Sequence, residues 1–134
     1  MIYSYRMTIP KSTTKANPTT YLLSLPHGII HRLIVGFPPG PHATAHVAIW
    51  HKEHQIFPSD PDQDFGWDWY VLDTPEWYPI EDFPYSISIR GWNDDTVYPH
   101  QVWIAVAILP REILMPPSEA AGILQRLSKL IFGK

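Results

Sequence analysis

The chain has 134 residues, enough for one domain that buries its own core without disulfide or metal staples. Apolar residues make up 45% and charged residues only 17%, against about 25% charged in an ordinary soluble domain, so part of the surface is expected to be covered by neighbouring protein. A net charge of −3 with scattered lysines and arginines argues against nucleic acid as main partner, and zero cysteines exclude disulfides, thiolate metal sites and thiol nucleophiles.

Ile2 to Ile9 alternates, with Tyr3, Tyr5, Met7 and Ile9 on one face, and this predicts a half-buried strand. A polar loop over 11–18 precedes two further strands, Thr19 to Leu25 and Ile29 to Phe37, separated at Pro26-His27-Gly28. Pro38-Pro39-Gly40-Pro41 is a rigid turn that neither a helix nor a central strand accommodates. Ala43 to Trp50 reads as a strand with Ala45, Val47 and Ile49 inward, and His54 to Phe57 as a short edge strand. An acidic turn over 59–66 leads to a strand over Trp67 to Leu72, then to an aromatic loop over Thr74 to Pro84 broken by prolines.

Tyr85 to Trp92 alternates cleanly and ends in a tight turn at Asn93-Asp94-Asp95. Val102, Ile104, Val106 and Ile108 form the most apolar strand, with Trp103 on its other face. Seven or eight strands at intervals of about 8–15 residues predict an all-β antiparallel sandwich of jelly-roll type over residues 1–109.

A proline-rich linker over 110–117 follows, and from Ser118 the apolar period changes to that of a helix. Ser118 is a good N-cap, since its hydroxyl accepts from free backbone N–H groups, and Glu119 suits the positive helix end. Ile123, Leu124, Leu127, Leu130 and Ile131 fall within about 120° of arc, so residues 118–134 are expected to form an amphipathic tail. Burying those five side chains contributes at most roughly 7–15 kcal/mol. A lone helix of this length is marginal in water and needs a surface, either its own β domain or a neighbour. Arg126, Lys129 and Lys134 on its polar side are too few to predict a membrane-surface helix. No run approaches the roughly 20 apolar residues of a membrane span. The first residues lack the basic and apolar regions of a secretion signal, so a cytoplasmically made product is expected.

Reaction chemistry is poorly supported. His42, His46, His51 and His54 fall within thirteen residues, and His42 and His46 share strand parity. This neighbourhood loosely resembles that of a cupin, but the His-x-His followed by glutamate of that family is absent, and ordinary strand and turn histidines are expected instead. Asp60, Asp62 and Asp64 alternate as calcium-loop ligands do, without the glycine and the bidentate glutamate such a loop needs. Carboxylate pairs such as Glu76 with Glu81 or Asp82 occur in any chain with thirteen acidic residues. Neither a nucleophile elbow nor a phosphate-cradling glycine loop is present. No catalytic residue, metal or cofactor is therefore assigned.

The six tryptophans are the stronger signal. Trp92 and Trp103 are read as core, whereas Trp67, Trp69, Trp77 and Tyr78 flank loops and are candidate contacts for a protein partner or a glycan. Few charges and an apolar tail favour protein.

Leu33-Ile-Val-Gly-Phe-Pro-Pro-Gly, His46-Val-Ala-Ile-Trp, His54-Gln-Ile-Phe-Pro-Ser, Ile87-Ser-Ile-Arg-Gly-Trp-Asn-Asp-Asp and Val102-Trp-Ile-Ala-Val-Ala-Ile-Leu-Pro resemble small jelly-roll proteins of tailed phages. Those proteins serve as capsid decoration or other virion accessory subunits. The resemblance covers roughly residues 20–110 and implies a non-enzymatic role in a virion, often as trimers on a shell protein. The expected function is thus a structural subunit and homo-oligomer that binds through the tail and loop aromatics, with a carbohydrate-binding module as the alternative.

Overall fold

The computed structural model describes residues 1–110, which form eight strands and no helix. They are β1 (Ile2–Ile9), β2 (Thr19–Ser24), β3 (Gly28–Phe37), β4 (Ala45–His51), β5 (His54–Phe57), β6 (Tyr70–Ile80), β7 (Ser86–Asn93) and β8 (His100–Leu109). The expected linker beyond Pro110 and the amphipathic tail over 118–134 lie outside the described residues.

Two four-stranded antiparallel sheets make a β-sandwich. The first has the order β1-β8-β3-β6 and the second β2-β7-β4-β5. The pairing is nested: β4 pairs with β5, β3 with β6, β2 with β7 and β1 with β8. Two more ladders, β3 with β8 and β4 with β7, turn this nest of hairpins into sheets.

Alternation drives the packing, because successive side chains on a strand point to opposite faces. Met7, Ile9, Leu33, Val35, Val102, Ile104 and Val106 from the first sheet meet Val47, Ile49, Ile87 and Ile89 from the second in one buried cluster. Full burial of each such side chain stabilises by roughly 1.5–3 kcal/mol. The inward sets expected for β1, β4 and β7 are the ones observed, with Tyr3, Tyr5 and Tyr85 packed at the margin of the cluster. Against β8 the β3 register shifts between Ile30 and Arg32, so His31 is the extra residue there and Ile30 joins the inward set with Leu33, whereas against β6 the extra residue falls on β6 between Pro75 and Tyr78.

The main departure from expectation is β6. The sequence predicts a strand that stops at Leu72 and a proline-broken loop, but the chain is continuous strand from Tyr70 to Ile80, through Pro75 and Pro79. β6 is the outermost strand of its sheet. An edge strand accepts proline, because an N–H on its open side has no ladder partner to lose. The Asn93 turn also differs. Asn93 is the last residue of β7, is fully buried, and donates from Nδ2 to the Tyr98 carbonyl at 3.0 Å while its Oδ1 accepts from the Asp95 N–H at 2.9 Å.

Candidate interaction surface

A sandwich bathed in water on both sides has polar outer faces. The second sheet fits this in part: Ser86, Ser88 and Arg90 lie on the outer side of β7, with Arg90 capping the Trp50 ring at 4.0 Å, and Leu22, Ala48 and Trp92 share that face. The first sheet does not. Its registered rows read Arg6–Trp103–Gly36–Val71, then Ser4–Ala105–Ile34–Asp73, then Ile2–Ala107–Arg32–Pro75. The two central strands thus offer tryptophan, alanine, isoleucine and glycine to the outside, where a solvated sheet would carry polar side chains. Arg32 and Asp73 cross-pair through a two-pronged ion pair, and this arginine holds the Asp73 carboxyl below its usual range.

Gly36 is the floor of a groove of about 350 Å³ lined by Arg6, Pro38, Trp69, Val71 and Trp103. Because Gly36 has no side chain, Trp103 on β8 and Val71 on β6 stand up as walls on either side of it.

The far end of the groove is a built corner. Asp68 accepts hydrogen bonds from the backbone N–H groups of Gly40 at 2.9 Å and His42 at 3.0 Å, clamping the Pro38–Thr44 turn to the segment that enters β6. Those bonds, His42 foremost, pull the Asp68 carboxyl below its usual range. The next residue, Trp69, donates its N–H to the Pro38 carbonyl at 3.3 Å and sits at φ 47°. A tryptophan in the left-handed region costs about 1–2 kcal/mol, and strain of this kind concentrates at functional positions. The strained residue is also 79% exposed. The backbone holds a large apolar ring out in water.

The four aromatic candidates divide. Trp69 and Trp77 are exposed, the latter on the outer side of β6. Trp67 and Tyr78 are half-buried against the core instead. Trp67 meets Phe37 edge-on, and the Tyr78 hydroxyl lies 2.8 Å from Nδ1 of His51. Of the two tryptophans read as core, one assignment holds and one is corrected. Trp103 is half-exposed on the outer face of the first sheet, because inward Val102 and Ile104 on either side of it force it out. That parity was the signal available in the sequence. Trp92 is buried as expected and stacks on His46, with the Lys15 ammonium 5.9 Å from its ring. The tail candidates Ile123, Leu124, Leu127, Leu130 and Ile131 lie outside the described residues.

The histidines are dispersed. Nδ1 of His46 lies 2.7 Å from Asp64 and its Nε2 2.9 Å from Asp94, tying two loops together. His51 is buried, and desolvation pushes its pKa down. Among the described residues no three histidine or carboxylate side chains are placed to hold a metal ion. The acidic turn is gathered onto β5, where the two protons of the Gln55 amide are shared among the carbonyls of Pro58, Asp60 and Gln63. No described helix is long and apolar enough to cross a membrane.

These features define an antiparallel β-sandwich with one apolar outer face and an aromatic corner. No protein-family model, curated protein or solved structure matches the chain.

Proposed function

We propose that this chain is a non-enzymatic structural subunit of a larger protein assembly, a jelly roll of the kind that decorates viral shells. It binds neighbouring protein through the outer face of the first sheet, the loop aromatics beside it and the C-terminal segment. The nested pairing supports the jelly-roll reading, because rolling one long hairpin of eight strands into two sheets produces that architecture. Fold alone does not assign function, so the surface carries the argument. The decisive observation is Trp69, strained and exposed beside Trp103 on an apolar sheet face. Aromatic anchors of this type dominate protein interfaces because they bury much area at little entropic cost.

The test is the hydrodynamic mass of the purified full chain across a concentration series, beside Trp69→Ala. An oligomer that dissociates at least tenfold more readily in the variant supports the reading, and a monomer throughout removes self-assembly from it.

One observation favours a second reading, a carbohydrate-binding module. Arg6 and Gln101 reach the groove beside the two tryptophans, as hydrogen-bonding groups flank stacked sugar rings. The assembly reading is preferred because the other lining residues are apolar and no carboxylate lines the groove. Glycan-array binding lost in Trp103→Ala would reverse that preference.

A further inference from the structure

We infer that the free edge of β1 pairs with the β1 edge of a second copy of this chain, antiparallel about a two-fold axis, so that two four-stranded first sheets run on as one. The inference rests on the assembly reading and names the partner and the contact. The two sides of the sandwich are guarded differently. On one side lie β6, with Asp73, Pro75, Glu76 and Pro79, and β5, which is four residues long and ends at Pro58. Prolines, charges and shortness are what keep a strand edge from pairing. On the other side lie β1 and β2, where the Tyr5 ring stacks on that of Tyr21 at 3.6 Å. β1 runs for eight residues without proline or register shift, with Arg6 its one charge, and β2 has neither proline nor charge.

The backbone fixes which groups that edge offers. The Met1 amino group donates to the Ile108 carbonyl at 2.9 Å, and the Ile108 N–H donates to the Met1 carbonyl at 2.8 Å. In an antiparallel ladder such doubly bonded pairs recur at every second residue. Tyr3, Tyr5, Met7 and Ile9 therefore bond to β8, while Ile2, Ser4, Arg6 and Thr8 turn both N–H and carbonyl to the open edge. All four are exposed, and no described residue bonds to their backbone on that side.

These groups match themselves, which selects a second copy as the occupant. A two-fold axis at Tyr5 sets Ile2 opposite the second copy's Thr8 and Ser4 opposite its Arg6, twice each, and every offered N–H and carbonyl finds a partner. An axis at Ser4 or at Arg6 leaves one residue of each copy unpaired, and the latter also sets two guanidiniums face to face. The axis at Tyr5 stands perpendicular to the sheet, so the apolar outer faces of both copies stay on one side, open to a further neighbour. The side made by β1 and β2 is about 27 Å long and about 20 Å deep. Pairing there buries on the order of 1,100 Å² in all, above the roughly 1,000 Å² expected of a specific interface.

The absence of cysteine makes the test clean, since introduced thiols are the only ones present. Full-length Ser4→Cys and Arg6→Cys chains, tagged differently and co-expressed, are mildly oxidised. In the inferred register the two different cysteines face each other at about 5.5 Å between Cα atoms, within disulfide reach, whereas like cysteines lie about 9 Å apart, beyond it. Mixed disulfide-linked dimers should exceed either like pair at least tenfold. An oligomer cross-linked only between like cysteines, or not at all, overturns the inferred pairing while leaving assembly standing. A native chain that stays monomeric overturns both. Ser4→Pro removes an N–H from the open edge and none from the β8 ladder, so it should keep the native circular dichroism and weaken self-association at least tenfold. Should it fail to fold, Ser4→Lys takes its place, setting a lysine opposite the second copy's Arg6. Unchanged association in the folded variant also overturns the inference.

Discussion

Two glycines on β3 should respond in opposite directions to the same substitution. A methyl group added at Gly36 meets Cβ of Trp103 at 3.7 Å, and Cε3 of Trp103 and Cγ2 of Val71 at 3.8 Å, all ordinary contacts. Gly36→Ala removes about 0.5–1 kcal/mol of backbone entropy cost, and three new contacts of about 0.1–0.2 kcal/mol each bring the gain to about 1 kcal/mol. A methyl group at Gly28 lies 2.7 Å from the carbonyl oxygen of Leu109 and 2.9 Å from Cγ2 of Ile108. That carbonyl belongs to the β3–β8 ladder and cannot retreat, so Gly28→Ala should cost about 1–2 kcal/mol after its entropy gain is counted. At about 4 °C per kcal/mol for a chain of this size, Tm should rise by about 4 °C in the first variant and fall by about 4–8 °C in the second. Thermal unfolding followed by circular dichroism, with urea midpoints at equal m, measures both. Shifts of the same sign, or a Gly36→Ala variant less stable than the parent, would refute the reading of the first sheet's outer face as open above Gly36.

Trp69→Gly should raise stability by about 1 kcal/mol, by releasing the left-handed backbone, while weakening association at least tenfold in sedimentation; a loss of stability would show that the ring is there for packing. Asn93→Ala should cost about 2–3 kcal/mol in urea unfolding, because the Tyr98 carbonyl and the Asp95 N–H each lose a partner at a fully buried site. A cost below about 0.5 kcal/mol would remove Asn93 as the pin of the β7–β8 loop. Desolvation holds the folded-state pKa of His51 below its ordinary value of 6.5. The unfolded chain therefore takes up that proton first. The contribution is complete above about pH 6.5 and is lost as pH falls through that value towards the folded-state pKa. Tm measured from pH 7.5 to 5 should fall less steeply in His51→Gln than in the parent, and parallel curves would contradict the assignment.

Much of the sandwich was legible because local pattern and burial agree. Tyr3 to Ile9 and Val102 to Ile108 alternate strictly, and each buries the expected side. β6 was not legible as one strand, because prolines end central strands and the sequence does not announce which strand is an edge. Trp103 was misassigned by residue type although its parity pointed outward. The site itself is assembled from Arg6, Gly36, Trp69, Val71 and Trp103, which come from distant parts of the chain and meet only once register is fixed. The left-handed backbone at Trp69 has no sequence signature at all, since glycine or asparagine is the usual occupant.

The ladder between β1 and β8 joins Ile2 to Ala107, and the amino group of Met1 donates to the Ile108 carbonyl at 2.9 Å. A ribosome must therefore have released nearly all of the sandwich before its opening strand finds a partner. Until then the hydrogen-bonding edge of that strand is unpaired, and nascent copies on one message are free to pair wrongly. Folding should be slow for so small a domain, because its outermost ladder joins strands about a hundred residues apart.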